Sequence, residues 1–158
     1  MSNYRRVFQE NHSYFITMVT HQREPLLIDN IQALRYAFVL SQRKYHYSLD
    51  AIVILPEHLH MIITPKYAME YPKIIAHIKR SFTYGITKRS KEEAKMRLSA
   101  SSYKRGLAGI WQKRFYEHTI RDEKDWVEKM EYIQFNAVKH QLVEVWDRWQ
   151  YSSFVAKS

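Results

Sequence analysis

The chain has 158 residues, a formal charge of +9 at pH 7, and 46% hydrophobic and 15% aromatic residues. That length and apolar content fit one folded domain and exclude a disordered chain. With no cysteine, there is no disulfide framework, thiol nucleophile or cysteine-bound zinc, which suits a reducing cytoplasm.

No apolar run reaches the length of a membrane span, and the opening Met1–Arg6 stretch lacks the apolar core of a signal peptide, so no membrane contact is expected. A basic chain with 12 tyrosines and 4 tryptophans suits a polyanion whose bases stack on rings. A basic protein without a nucleic-acid partner has the same composition.

Residues 1–12 read as a polar arm, in which Arg5 and Arg6 either touch phosphate or are simply solvated. Residues 14–20 are apolar on both faces, which predicts a central strand. Asn30 is a suitable N-cap for a helix to about Tyr45, with Ile31, Leu34, Phe38 and Tyr45 on its buried side. Residues 48–55 and 58–64 read as a hairpin around Leu55-Pro56-Glu57. Pro72 opens a helix over 71–88 whose buried side is Ile74, Ile75, Ile78 and Phe82. Its basic residues, Lys79 and Arg80 among them, are either a solvated face or a path for a phosphate backbone. Residues 90–108 read as an exposed excursion with a helical turn or two, and 110–120 as a strand. A helix over 123–138 buries Trp126, Val127, Met130, Ile133 and Ala137. Residues 139–158 carry Trp146, Trp149, Tyr151 and Phe154 and read as a tail that packs back on the domain.

The order strand, helix, strand, strand, helix, strand predicts an α+β, ferredoxin-like β-α-β-β-α-β fold. It has a four-stranded antiparallel sheet and an additional C-terminal helix, all in one domain spanning 1–158.

His58 and His60 open the second hairpin strand. Side chains alternate along a strand, so both imidazoles project from one face, with Cα atoms roughly 7 Å apart. They are either two surface or hydrogen-bonded histidines or half of a metal site. Tyr132 and Asn136 stand four residues apart, on one helix surface. Together these side chains offer two nitrogens, an amide oxygen and a phenol. A divalent ion held this way polarises a scissile phosphate, and the phenol attacks phosphorus to form a covalent phosphotyrosine. His118 and Tyr116 read as packing residues. His12, His21, His46, His77 and His140 fit no pattern.

Three blocks carry a family resemblance. His58-Leu59-His60 resembles the His-hydrophobic-His motif of single-tyrosine HUH transposases. Residues 111–123 (WQKRFYEHTIRDE) are similar to their last-strand block, and 132–143 (YIQFNAVKHQLV) to their nucleophile helix. Tyr4-Arg5-Arg6, Tyr14-Phe15-Ile16-Thr17 and 149–154 (WQYSSF) resemble the REP-associated tyrosine transposase branch. The resemblance spans nearly the whole chain.

The resemblance implies a ferredoxin-like fold and cleavage and rejoining of single-stranded DNA through a covalent 5′-phosphotyrosine. The cofactor would be one Mg2+ or Mn2+ and no organic group, and the partner a palindromic DNA hairpin. Tyr132 would be the nucleophile, with His58, His60 and Asn136 as metal ligands. Arg5, Arg6, Lys79, Arg80, Lys113 and Arg114 would contact DNA. The place of action would be the bacterial cytoplasm, at the nucleoid when bound. A homodimer that exchanges the nucleophile helix is left open. Ala137 stands where that branch often has proline, and Gln141 where it often has glycine. Two other readings stand beside this one: a non-catalytic single-strand-binding module on the same sheet, and a hydrolase using activated water. The hydrolase ranks last, because the sequence shows no carboxylate in an obvious position to act as base.

Overall fold

The computed structural model describes residues 8–157. Arg5 and Arg6, and with them the expected DNA contacts of the N-terminal arm, lie outside the described residues.

Strands β1 (Tyr14–Val19), β2 (Tyr47–Ile54), β3 (His58–Pro65) and β4 (Tyr116–Thr119) form one antiparallel sheet in the order β2-β3-β1-β4. A short helix α1 (Leu26–Asp29) and the longer α2 (Ile31–Lys44) follow β1, and α3 (Tyr71–Gly85) follows β3. The ferredoxin-like order is therefore the observed one. β1 and β3 are buried on both faces along most of their length, which is why these strands hold the centre of the sheet. Tyr14, Ile16 and Met18 join Leu59, Met61 and Ile63 under α2 and α3, with Leu34, Phe38, Ile74, Ile78 and Phe82. Phe15, Ala51, Val53 and Ile62 face the other way, under Ile133, Trp126 and Met130 of α6 (Glu123–Lys139). The two-residue alternation of β3 thus sends Leu59 and Met61 into the larger core and turns His58 and His60 toward α6.

Four expectations change. Val127, expected on the buried side of α6, is 46% exposed, because the helix turns Trp126, Met130 and Ile133 to the sheet instead. The predicted strand over 110–120 pairs in the ladder only at Tyr116–Thr119. Ahead of it, Trp111 forms an isolated bridge to Thr20. Its indole packs 5.3 Å from Phe82, and its ring N–H donates to the Lys79 carbonyl. That anchor on α3 pulls the chain out of the sheet before it rejoins at Tyr116. The excursion at 90–108 is more helical than its weak periodicity suggests. It holds α4 (Lys88–Met96) and α5 (Ala100–Lys104), whose N-caps Thr87 and Ser99 each accept a backbone N–H three residues on. Asn30 does not cap α2; its side-chain amide donates backward to the Leu26 carbonyl.

Both ends of α6 are fixed. At its start Asp122 accepts the Asp125 N–H. Buried Asp125 then joins three groups: its carboxylate accepts from His118 of β4 at 2.8 Å, from the Arg121 N–H at 3.0 Å and from Lys129 at 3.2 Å. Burial by itself raises this carboxyl, but those donors outweigh it and hold the group well below the usual carboxylate range. Its folded pKa lies below its unfolded one, so the stabilisation is complete above about pH 4 and is lost as pH falls further. Asp125→Ala is expected to cost about 2 kcal/mol at pH 7 and to flatten the acid limb of stability. Urea unfolding of both proteins at pH 7 and pH 3 reads this directly.

At its end, Gln141 N–H donates to the Val138 carbonyl and Leu142 N–H to that of Ala137, the two bonds of a Schellman turn. This turn requires a left-handed residue, and Gln141 supplies it at φ 60°. Glycine would adopt that angle without the side-chain penalty. Gln141→Gly is expected to raise stability by about 0.5–1 kcal/mol, seen as a higher urea midpoint with an unchanged slope.

Beyond the turn the chain returns to the open edge of β2. Ser152 bridges Val53, the Ile54 N–H donates to the Tyr151 carbonyl, and the Trp149 indole N–H donates to the Ile54 carbonyl. These bonds cover an edge that would otherwise be unpaired.

Candidate active site

His58 and His60 are both buried, and their rings lie 4.9 Å apart. Each is held from behind through Nδ1. His58 Nδ1 is 2.7 Å from Glu57 Oε1, and His60 Nδ1 is 2.7 Å from Thr17 Oγ1. Both contacts leave Nε2 as the forward nitrogen, the arrangement in which an imidazole binds a metal while its other nitrogen donates to an oxygen. His60 Nε2 is buried and has no hydrogen-bond partner among the described residues. Burial pushes the His60 pKa down to about 3, with His58, His140 and Lys139 adding to the effect. Burial also lowers that of His58, against the opposing pull of Glu57. Near neutral pH both rings are free bases with lone pairs available.

Helix α6 crosses this face. The Tyr132 ring lies 5.1 Å from that of His60 and 5.7 Å from that of Phe15, and Lys139 Nζ sits 5.0 Å from the centre of the phenol ring. One turn beyond Tyr132, Asn136 is 1% exposed, yet neither its Oδ1 nor its Nδ2 has a partner among the described residues. An unsatisfied buried amide costs stability unless something else completes it. Among the described residues, no three His, Cys, Asp or Glu side chains form a group that could hold a metal. The Asn136 amide is a donor of another kind on the same face.

A cavity of about 490 Å³ opens beside Tyr132, lined in part by Thr17, His60, Tyr116 and Glu128. Glu128 stands one helical turn before Tyr132 and lines the same cavity, so the fold brings to the site a carboxylate that the sequence does not mark as a base. Glu57 and Thr17 were also missed, because nothing local marks a residue that holds a histidine from behind. His140, unassigned in the sequence, has its ring 5.1 Å from that of His58. Its signal was present, since Tyr132, Asn136 and His140 repeat at four-residue spacing along one helix stripe.

The basic residues expected to touch DNA are not gathered at the histidine pair. Lys79 and Arg80 lie on α3, across the sheet from it. Lys79 Nζ donates to the Gln112 carbonyl and lies 5.8 Å from the Phe115 ring centre. Lys113 and Arg114 are exposed in the segment that leads into β4, and Lys113 shares a second cavity with Lys79. Among the described residues no helix is long and apolar enough to cross a membrane.

The chain combines an antiparallel ferredoxin-like sheet and a buried histidine pair with a helix-borne tyrosine, and comparison with known proteins gives the class, a tyrosine transposase. A family model described as "Transposase IS200 like" matches residues 8–136. A Haemophilus influenzae protein described as a REP-associated tyrosine transposase is 40% identical over 156 residues, covering 98% of this chain and 86% of that one. The REP-associated tyrosine transposase of Escherichia coli K12 is 33% identical over 156 residues, covering 98% and 83%. A solved structure of a REP-associated tyrosine transposase bound to a REP hairpin superposes with a TM-score of 0.78 at 32% identity, covering 98% of this chain and 83% of that one. The chain belongs to the IS200-like transposase family, within its REP-associated tyrosine transposase branch.

Proposed function

We propose that the chain cuts and rejoins single-stranded DNA at REP-type hairpins through a covalent 5′-phosphotyrosine on Tyr132. The observation that carries this reading is the 5.1 Å approach of the Tyr132 ring to the His60 ring within one chain. Beside it stand the unpartnered His60 Nε2 and Asn136 amide. A relative bound to a REP hairpin supplies the class of DNA.

His58, His60 and Asn136 would hold one Mg2+ or Mn2+, because their open nitrogens and buried amide oxygen suit a divalent cation. When bound, that ion polarises the scissile phosphate and offsets the charge that develops on it. The residues of the chain do the rest. Thr17 and Glu57 fix the rings so that each Nε2 points forward. Tyr132 Oη attacks phosphorus, the P–O3′ bond breaks, and the 3′ oxygen leaves as a hydroxyl with a proton taken from solvent water. Glu128, one turn away in the same cavity, accepts the phenol proton. Lys139 adds positive charge where the phosphate sits. Because the phosphodiester energy is kept in the Tyr–phosphate bond, reversal by a 3′-hydroxyl reseals the strand.

The test is incubation of 3′-labelled hairpin DNA carrying single-stranded extensions with the protein and Mn2+, followed by denaturing electrophoresis. A labelled band at the mass of the protein plus the downstream fragment is expected. DNA that is bound but unchanged would instead favour a binding module, and hydrolysed DNA with no adduct would favour a water-based hydrolase.

A further inference from the structure

Tyr116 has a role that its sequence context conceals. It opens β4 next to Phe115, which reads as packing, yet in the fold it is 58% exposed. Its strand register explains its position. His60 pairs with Thr17, and Thr17 pairs with Tyr116. Residues directly opposite in an antiparallel ladder share a face. His60, Thr17 and Tyr116 therefore form one row across β3, β1 and β4, on the face turned toward α6. Thr17, in the middle, is small. The row thus has a low centre between two rings, about 10 Å apart at two strand spacings. Phe15 sits one step away on the same face, edge-on to Tyr116 with ring centres 6.4 Å apart. Tyr132 and Glu128 of α6 close the recess, whose volume is about 490 Å³. Clefts of roughly 300–1,000 Å³ accept a small organic group.

We infer that Tyr116 is a stacking platform for the base adjacent to the phosphate that Tyr132 attacks. This rests on the reading of Tyr132 given above. An exposed ring beside a recess is the arrangement by which single-stranded nucleic acid is held without regard to sequence, since every base has a π-face. Tyr116 is placed to hold and not to attack, because it lies two strands from His60 whereas the Tyr132 ring is in contact range of it. The Phe15 ring stands at 75° to that of Tyr116, and the 58% exposure of Tyr116 leaves ring surface accessible to a base. Tyr116 is thus a positioning residue: it sets which phosphate is presented to the phenol.

The experiment uses the full chain and a REP-type hairpin whose single-stranded extension carries one abasic site, moved stepwise along it. The hairpin fixes the register. Binding is read by fluorescence anisotropy and adduct formation under single-turnover conditions. Tyr116→Ala should weaken binding or adduct formation roughly 5- to 100-fold, and Tyr116→Phe, which keeps the ring, should behave as the parent. One abasic position should cost the parent as much as Tyr116→Ala does, and combining the two should cost no more. Full additivity at every position, or a Phe variant as defective as Ala, overturns the stacking role. If the parent forms no adduct but the non-additive binding loss is present, the cleavage reading fails while the platform stands. If the adduct forms with no such coupling, the platform fails while the cleavage reading stands.

Discussion

Tyr132→Phe is expected to abolish the covalent protein–DNA adduct, by at least about 10³-fold, while leaving folding and DNA binding intact. The substitution removes one oxygen. It keeps the ring that packs 5.1 Å from His60 and 5.7 Å from Phe15, and it keeps the face beneath Lys139. Among the described residues the Tyr132 hydroxyl makes no hydrogen bond that would be left broken, so stability should move by less than about 0.5 kcal/mol. The measurement is the 3′-labelled adduct band with Mn2+, alongside a urea midpoint and an anisotropy titration. Tyr116→Phe serves as control, because Tyr116 is the other phenol that lines the cavity. An adduct that survives in Tyr132→Phe and disappears in Tyr116→Phe would move the nucleophile to β4 and remove the mechanism derived above.

His60→Ala is expected to lower metal-dependent cleavage at least about 100-fold and to remove any rise in Tm that Mn2+ gives the parent. Replacing His60 takes away a forward nitrogen for which Thr17 fixes the ring and which no other described residue hydrogen-bonds. The variant should still fold. The lost stacking against Phe15, with ring centres 5.5 Å apart, is offset by removal of a buried nitrogen that has no partner. Its pH dependence gives an independent readout. The folded His60 pKa of about 3 lies below the unfolded value of about 6.5. Between those limits the unfolded chain binds the extra proton, so His60 makes the parent lose stability as pH falls from about 6.5. His60→Ala should show a shallower decline between pH 7 and pH 5 in urea unfolding. Equal slopes would mean that His60 is not held neutral in the fold.

Much of this site was legible before the fold was known, wherever the information was periodic. A two-residue alternation forces His58 and His60 onto one face once β3 forms, and a four-residue spacing forces Tyr132 and Asn136 onto one helix stripe. The same stripe reaches His140 at the helix C-cap, where spacing alone gives a histidine no role. Caps at Thr87 and Ser99 were likewise readable, yet the low apolar content of 88–108 masked the helices they start. Lys79 and Arg80 illustrate the limit of reading by charge. Residue type gives no information about which side of a sheet a helix covers, and these two lie across the sheet from the histidines.

The sequence by itself determined the order of the strands and main helices, the inward and outward faces of β3, most of the buried stripe of α6, and the identity of the groups able to do chemistry. Those follow from local periodicity, which each segment carries alone. Only the tertiary structure decided that Thr17 and Glu57 hold the imidazoles, that Glu128 and Tyr116 line the recess beside the phenol, and that one chain brings Tyr132 to its own His60. Each of those depends on strand register and on how α6 crosses the sheet, which are set by packing between segments distant in sequence.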